Sequence, residues 1–336
     1  MNGVDAQDPI KVLGSKPQPA NQSTAELDPA LADAKSMVEQ GNANGAERFV
    51  REYLKTRPDS ADGHFLLGYI LFRQLQQSAL ENAFSGERNG AHGSDARIPT
   101  ANLKDEKVRA SLAEYTEGAK HRDPSAFDLK IVALDYVLLG DYVDADKWLT
   151  RMLEWAPNDS DGWYYLGRAK YNEGRYAEAV RAFEQCLKLS PQNVKAADNL
   201  GLSYAGLGRT EEAIAAYKNA IEWQRNAATK DAGPHIDMGS VLLDLDRTEE
   251  SITYLQQSIS ISPEDPRAHE LLGKAYARLN RHELAQGELE KAIHLDPKNP
   301  HLPCMLGPVY RKRGMMEQAQ MQLERCAALN GTHSTR

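Results

Sequence analysis

Two histidine–glutamate pairs are the residues whose types and spacing come nearest to a catalytic motif. His269-Glu270 and His282-Glu283 begin like the H-E-x-x-H helix of zinc hydrolases, in which a second histidine completes the metal site one turn later. Gly273 and Gln286 occupy the place of that second histidine. We therefore interpret both pairs as structural, and no metal site is predicted from them.

Other signatures of catalysis are also missing from the sequence. It contains neither the phosphate-binding G-x-x-x-x-G-K pattern nor the G-x-S-x-G nucleophile elbow. The three cysteines, Cys186, Cys304 and Cys326, are an odd and sparse set, which predicts neither a disulfide framework nor a zinc site. The sequence therefore predicts a protein that is not an enzyme and that needs no metal or cofactor.

Composition and charge narrow the class of partner. The 336 residues are 41% hydrophobic and 26% charged, which is enough apolar material for a buried core. A formal net charge of −8 disfavours nucleic acid as a partner, because phosphate binding needs a basic surface. No apolar run approaches the roughly 18 residues of a membrane span.

Residues 1–26 are predicted to be a disordered leader. Pro9, Pro17 and Pro19 stand among polar residues without helical periodicity. No apolar stretch of a secretory signal is present, so the default prediction is a cytoplasmic protein. The segment Val4-Asp5-Ala6 has the small-x-small form of a cleavage site, and an exported or periplasmic protein whose start codon misses a signal peptide stays as the alternative.

A repeating pattern dominates the rest of the sequence. The segment 160–193 reads Trp163-x-x-Leu166-Gly167, then Ala179-x-x-x-Phe183, then Pro191. The pattern returns as Leu200-Gly201-x-x-Tyr204, Leu272-Gly273-x-x-Tyr276 and Leu306-Gly307-x-x-Tyr310. Pro157 and Pro191 are 34 residues apart, as are Pro263 and Pro297. Pro191 and Pro263 are separated by 72 residues, two periods plus four, and the extra residues fall at 226–230.

This pattern resembles the tetratricopeptide repeat, a helix–turn–helix unit with the same period. The resemblance implies an all-α fold, an α-solenoid in which the units stack into a right-handed superhelix. Six regular repeats are predicted at 126–159, 160–193, 194–227, 232–265, 266–299 and 300–333. Two degenerate repeats precede them at 27–125, and the second is interrupted by an insertion at about 75–107 before a helix at about 109–122. Alternatively, the solenoid begins at Ala126 and the earlier region caps it.

In that family the first helices of the repeats line a concave groove that binds extended peptides or partner helices. The family's groove positions, carried over onto this sequence, imply a peptide-binding set of fifteen residues. The set is Phe127, Lys130, Leu134, Tyr164, Tyr165, Arg168, Tyr171, Asn172, Lys195, Asn199, Arg267, Lys274, Arg278, Arg311 and Lys312. It is aromatic in its middle and basic towards its end, which predicts a protein or peptide partner with aromatic or apolar residues and acidic residues. The Lys/Asn clamp that some members use to grip a chain terminus is incomplete, because Leu134 and Asp237 stand where it needs polar donors.

The sequence therefore predicts a scaffold or adaptor without catalytic activity. The alternative is a structural subunit of a multiprotein or cell-envelope assembly, which docks through its edges or its last repeat. Cys186 and Cys326 fall at small-residue positions of second helices, which predicts that both are buried and unreactive.

Overall fold

A computed structural model describes residues 28–75 and 101–333 of the chain. These residues form sixteen α-helices and no β-strand, which confirms the predicted all-α class. The predicted leader and residues 76–100 of the predicted insertion lie outside the described part. No described helix is both long and apolar enough to cross a membrane.

The helices fall into two compact units, which adjoin in the sequence at Leu189 and Ser190. The first unit contains α1 Pro29–Glu39, α2 Ala43–Thr56, α3 Ala61–Gln74, α4 Ala101–Gly118, α5 Ala126–Leu139, α6 Tyr142–Trp155, α7 Ser160–Asn172 and α8 Tyr176–Leu189. The second unit contains α9 Val194–Gly206, α10 Thr210–Trp223, α11 Gly233–Asp244, α12 Thr248–Ile261, α13 Pro266–Arg278, α14 His282–Leu295, α15 His301–Lys312 and α16 Met316–His333. Odd-numbered helices are the first helices of their pairs, and even-numbered helices are the second.

Many of these helices begin at a polar side chain that caps the exposed backbone N–H groups. Before α5, Ser125 Oγ accepts a hydrogen bond from the N–H of Asp128, and the carboxylate of Asp128 accepts one from the N–H of Ser125 at 2.8 Å. This reciprocal pair is a capping box. Single caps precede seven other helices, at Asp28, Asn42, Ser60, Asp141, Asp159, Asn193 and Asp265. The caps define where the helices start, because each satisfies donors that have no partner inside the helix.

The turn between the two helices of each regular repeat contains one residue with left-handed backbone. Four of these residues are glycines with φ between 71° and 77°, namely Gly140, Gly174, Gly208 and Gly314. Glycine adopts this conformation without the steric cost that a Cβ imposes. Asp246 and Asn280 take the same place in the remaining two repeats, with φ of 58° and 59°. Both residue types tolerate this region better than other side chains do.

Stacking brings first helices side by side within each unit. In the first unit α3 contacts α1 and α5, and in the second α11 and α13 contact each other and their neighbours α9 and α15. Leu129, Leu149 and Met152 are fully buried in the main core of the first unit. Leu255 and Leu289 have the same role in the second unit. First helices therefore lie side by side from α1 to α5 and from α9 to α15, and the predicted binding residues are on first helices.

Gly201 lies at the eighth position of its repeat, where α9 and α10 approach most closely. A Cβ at this position would lie 2.4 Å from Cε1 of Tyr217, whose ring is buried. We expect Gly201→Ala to lower the free energy of unfolding by about 1–3 kcal/mol, because the packed ring must move. Thermal unfolding of the variant and the wild-type chain measures the difference.

Gly287 on α14 provides the matched control in the same unit. A Cβ there would meet nothing within 4 Å. Gly287→Ala is expected to raise stability by about 0.5–1 kcal/mol, because alanine loses less backbone entropy in a helix. Equal effects of the two substitutions would show that close packing at Gly201 is not the cause.

The second helix of the interrupted repeat begins earlier than expected. The sequence placed it at about 109–122, whereas α4 spans Ala101–Gly118 and packs against α3. Residues 101–107 include Ala, Leu, Lys and Glu, which favour helix. The predicted insertion at 75–107 therefore ends before Ala101.

The cysteine prediction is wrong for two of the three residues. Cys304 on α15 and Cys326 on α16 form a disulfide with Cα atoms 5.1 Å apart. They are 22 residues apart in the sequence and face each other across one helical pair, which a count of cysteines does not reveal. Cys326 is only partly buried, but Cys186 is buried as predicted, and burial raises the pKa of its thiol to about 11.

Candidate functional site

Two contacting aromatic rings, Phe127 exposed and Tyr69 half-buried, lie on first helices of the first unit. Phe127, on α5, is 52% exposed and meets the edge of the Tyr69 ring from α3, with ring centroids 5.2 Å apart. The sequence predicted Phe127 but missed Tyr69, because groove positions were carried over only onto the six regular repeats. Tyr69 stands at the ninth position of the preceding degenerate repeat, and counting that repeat in register finds it. We call Tyr69 and Phe127 the aromatic pair.

The predicted tyrosines of α7 are only partly accessible. The rings of Tyr164 and Tyr165 contact edge to face at 5.4 Å, and the Tyr171 ring lies 5.4 Å from that of Tyr176 on α8. Tyr165 also packs against the main core of the first unit. Asn172, at the end of α7, is half-buried. The tyrosines of α7 therefore contribute mainly to packing, whereas Phe127 is the more accessible aromatic residue.

Two predicted binding residues of the first unit are buried. Leu134 is 5% exposed and belongs to the main core, so it cannot line a groove. Arg168 is 6% exposed, and its Nη1 donates a hydrogen bond to Tyr164 Oη at 3.3 Å. Both side chains are covered by packed protein. A position in the repeat indicates in which direction a side chain points from its helix, but it does not indicate how closely the neighbouring helices approach.

Lys130 of the first unit is held in an ion pair. Its Nζ lies 3.0 Å from Asp159 Oδ1 and 3.5 Å from Asp161 Oδ2, and its side chain is largely buried. These carboxylates flank the start of α7, whereas Lys130 lies on α5. The lysine therefore joins two successive repeats, and its charge is already neutralised.

The second unit carries fewer available cations than the sequence predicts. Arg267 Nη1 lies 2.6 Å from Asp237 Oδ1, a carboxylate buried on α11. Arg278 donates to the carbonyl of Leu243 and lies 3.3 Å from Asp246 Oδ1. Both arginines therefore connect neighbouring repeats.

Three basic residues of the second unit are left without such partners. Lys274 on α13 is half-buried, and Arg311 and Lys312 at the end of α15 are exposed. None of them forms a hydrogen bond or ion pair with residues 28–75 or 101–333. We call these three residues the basic face. Of the other predicted residues, Lys195 is exposed, whereas Asn199 is 1% exposed and donates to the carbonyl of Lys195.

Glu270 lies beside the basic face on α13. Burial raises the pKa of its carboxyl, and the nearby charges of His301, Arg267 and Lys274 partly oppose that shift. One half-buried carboxyl with three basic neighbours does not neutralise the positive charge of the basic face. Glu270 places one hydrogen-bond acceptor next to the donors of that face.

One buried acid has a strongly shifted pKa but lies away from these faces. Asp135 on α5 is fully buried, and burial raises the pKa of its carboxyl well above the ordinary value. Ser111 Oγ lies 2.6 Å from Asp135 Oδ2 and 2.9 Å from the carbonyl of Gly68. Asp135, Ser111 and Gly68 lie on α5, α4 and α3, so these contacts link three helices in the core. No described group of His, Cys, Asp or Glu is arranged to hold a metal ion.

Comparison with known proteins supports the repeat assignment. Family models described as tetratricopeptide repeats match residues 160–193, 194–226 and 266–299, and a model described as TPR repeat matches 239–280. The chain is a tetratricopeptide-repeat protein.

Curated relatives of this tetratricopeptide-repeat protein match only parts of it. The human PEX5-related protein is 35% identical over 66 residues, which are 20% of this chain and 10% of the relative. The peroxisomal targeting signal receptor of Kluyveromyces lactis is 30% identical over 96 residues, which are 29% of this chain and 17% of the receptor. The chain thus spans less than a fifth of the length of either relative.

The fold also resembles that of a solved structure. The crystal structure of the APC/C hetero-tetramer Cut9–Hcn1 aligns with 89% of this chain and 52% of that chain, with a TM-score of 0.57 and 15% sequence identity. At this identity the likeness concerns the fold alone, and it confirms the tetratricopeptide-type architecture.

Proposed function

We propose that this tetratricopeptide-repeat protein is a non-catalytic scaffold that binds an acidic segment of a partner protein on its first helices. The observation that carries the proposal is the basic face. Lys274, Arg311 and Lys312 form no hydrogen bond or ion pair with a described residue, although Arg267 and Arg278 nearby are both engaged. Cations without internal partners on a binding face select for carboxylates, because charge-assisted hydrogen bonds are stronger than neutral ones.

The aromatic pair supplies a second contact of different chemistry. Phe127 exposes about half of its surface next to Tyr69. Aromatic side chains are enriched among the residues that dominate binding energies, because they bury a large area at little entropic cost. We infer that the partner of the first unit presents apolar or aromatic side chains.

The relatives support a scaffold that binds a peptide. The Kluyveromyces lactis relative is a receptor for a peroxisomal targeting signal. Repeats of this kind bind through sites on their surface, and the fold itself provides no chemistry. The proposed chemistry of the partner is inferred from the basic face and the aromatic pair.

Charge reversal on the basic face tests this proposal. Peptides are selected from a random display library on the full chain, and acidic residues are expected to be enriched. The triple variant Lys274→Glu, Arg311→Glu and Lys312→Glu is expected to weaken the selected peptides at least about tenfold, because charged hydrogen bonds are lost and repulsion is added. Fluorescence anisotropy at two salt concentrations measures the change, which should be larger at low salt.

A matched triple variant separates the local effect from net charge. Lys218, Lys291 and Lys298 are exposed in the same unit but lie outside the first helices. Their reversal to glutamate changes the net charge by the same amount and should leave peptide affinity unchanged. Selection of peptides without acidic enrichment, or equal losses in both triple variants, would refute the acidic-partner proposal.

Exposed apolar residues on α16 favour a second candidate function. Met316 and Met321 are each 63% exposed. A structural subunit that docks through this helix would lose assembly on Met316→Glu with Met321→Glu. The same subunit would be unaffected by charge reversal on the basic face, so the two variants distinguish a peptide scaffold from an assembly component.

The Cys304–Cys326 disulfide supports the exported alternative for the location. Disulfides persist in oxidising compartments and are rare in the cytosol, where thiols are kept reduced. We propose that the protein works in an oxidising compartment.

A further inference from the structure

Three repeats share a hydrogen bond between the ring at their fourth position and a proline carbonyl six residues earlier. The pairs are Trp163 with Pro157 at 2.8 Å, His64 with Pro58 at 2.8 Å, and His269 with Pro263 at 2.9 Å. In the two histidines the other ring nitrogen lies 2.7 Å from Glu114 and 2.6 Å from Glu288. Both nitrogens of these histidines are therefore satisfied, as expected for structural residues.

His235 stands at the same fourth position of repeat 232–265 and lacks both partners. The residue six places earlier is Thr229, in the loop that carries the four extra residues. Tyr254 replaces the glutamate of the second helix, with its ring centroid 6.5 Å from that of His235. His235 is 7% exposed, its Nδ1 is buried without a hydrogen-bond partner, and neither ring nitrogen bonds to a described residue.

A cavity of about 330 Å³ opens next to this histidine. Its walls include Ile221 at the end of α10 and Ile261 at the end of α12, and the loop after α10 closes one side. Gln224 holds that loop, because its side-chain amide donates to the carbonyl of Asp231 and accepts from the N–H of Asp231 at 2.7 Å. The volume is within the range of small-molecule sites, which begins at about 300 Å³.

The charged residues that line this cavity are positive. Lys230 is exposed and forms no hydrogen bond or ion pair with the described residues. Arg225, in the turn after α10, also lines the cavity and pairs with Glu222 in the last turn of α10. Gln257 and Ser260 of α12 add polar groups without charge. The cavity thus combines an unpartnered buried imidazole, a free ammonium group and apolar walls.

We propose that this cavity is a binding site for a small organic anion. The carboxylate or phosphate of the ligand accepts hydrogen bonds from His235 and Lys230, and its apolar part packs against Ile221 and Ile261. The site lies at the start of α11, on the loop before it and at the ends of α10 and α12, whereas the basic face lies on α13 and α15. It would therefore add a small-molecule input to a peptide-binding scaffold.

The charges around His235 give the site a pH dependence. Burial lowers the pKa of His235, the neighbouring Lys230 lowers it further, and Asp231 raises it. The other charged groups nearby are Glu222 on α10 and Arg225 in the turn after it, and α12 contributes Tyr254 and uncharged polar residues. The lowered pKa favours the neutral imidazole in the free protein, and a bound anion favours its protonated form. Affinity for the anion should therefore increase as the pH falls from 8 to 6.

Titration of the full chain with three matched probes tests the proposal. The probes are phenyl phosphate, benzoate and the neutral benzyl alcohol, which share one ring and differ in charge. We expect a saturable shift of the His235 ring Cε1–H resonance with at least one of the two anions, and binding of benzyl alcohol at least tenfold weaker. The two anionic arms show whether the site prefers phosphate or carboxylate. Loss of the signal in His235→Gln assigns the resonance.

Two lysine variants make the test independent of folding at His235. Lys230→Glu is expected to weaken the anion at least about tenfold, since a charged hydrogen bond is replaced by repulsion. Lys218→Glu, on exposed α10 surface outside the cavity, makes the same charge change and should leave affinity unchanged. Absence of a saturable shift with both anions would overturn the proposal. So would equal binding of benzyl alcohol, or wild-type affinity in Lys230→Glu.

Discussion

Asp146→Ala is expected to lower the free energy of unfolding of the first unit by about 3–5 kcal/mol, because it removes one partner of a buried ion pair. Asp146 on α6 accepts hydrogen bonds from Lys170 on α7 at 2.7 Å and from Arg175 in the following turn at 2.6 Å. The side chains of Asp146 and Lys170 are only 12% and 11% exposed. Without the carboxylate, the Lys170 ammonium stays buried with Glu178, 3.3 Å away, as its nearest counter-charge.

The same network predicts how acid affects this unit. Hydrogen bonds from Arg175, and then from Lys170, lower the pKa of Glu178 to about 2. A carboxyl with a lowered folded-state pKa binds fewer protons when folded, so its stabilisation is present above its unfolded pKa. That contribution is lost as the pH falls from about 4.5 towards 2. In Asp146→Ala the Arg175–Glu178 pair stays intact, so this acid-sensitive part should persist.

Glu154→Ala on the same helix is the matched control. Glu154 pairs with Arg151 at 2.6 Å but is half exposed, and such surface pairs contribute about 0–1 kcal/mol. Native-state hydrogen exchange of the α6 and α7 amides measures both variants, since solenoids need not unfold in one step.

Replacement of both charged residues, Asp146 and Lys170, tests the physical cause of the lost stability. If a stranded ammonium group causes the loss, Asp146→Leu with Lys170→Met should recover most of it, because apolar pairs can replace buried ion pairs. A double variant as unstable as Asp146→Ala would instead assign the loss to packing.

The period of the repeats predicts the fold because each position has a fixed packing requirement. Gly201 could be placed against a large residue from spacing alone, and Tyr217 is that residue. Glycine accounts for the left-handed turn at Gly140 and Gly174, whereas Asp246 and Asn280 show that polar residues also occupy it. The start of α4 was missed, because the long insertion removes the register that the period provides.

The binding residues were harder to predict, because a family position specifies a direction but not the neighbours. Lys130 and Arg267 lie on first helices as expected, yet Asp159 and Asp237 of adjoining repeats neutralise them. Those carboxylates come from about thirty residues away along the chain, so each pair depends on the stacking of two repeats. The four extra residues before His235 were visible in the sequence. The effect of these residues is that His235 has no proline carbonyl beside its ring. That effect becomes visible only by comparison with Trp163 and His269, whose rings each contact a proline carbonyl.

Removal of the Cys304–Cys326 disulfide is expected to destabilise the last helical pair by about 3 kcal/mol, the chain-entropy value for a closed loop of this length. The disulfide joins residues 22 apart on α15 and α16, so it restricts the unfolded loop that contains the turn between them. Apolar contacts hold this pair less strongly than others, since Leu323 of α16 is partly exposed whereas its counterpart Leu289 of α14 is buried. Cys304→Ser with Cys326→Ser should therefore increase hydrogen exchange in α15 and α16 more than in α13.

Reduction of the wild-type chain should reproduce the effect of the double serine variant, and the reductant should not change that variant further. Alkylation identifies the bonds directly. The unreduced, denatured chain should take up one alkyl group, at Cys186, and the reduced, denatured chain should take up three. In the native chain Cys186 should react slowly, because burial raises its thiol pKa to about 11 and few thiolates form. Rapid labelling of Cys304 or Cys326 without reductant would contradict the disulfide. It would also remove the support for an oxidising compartment.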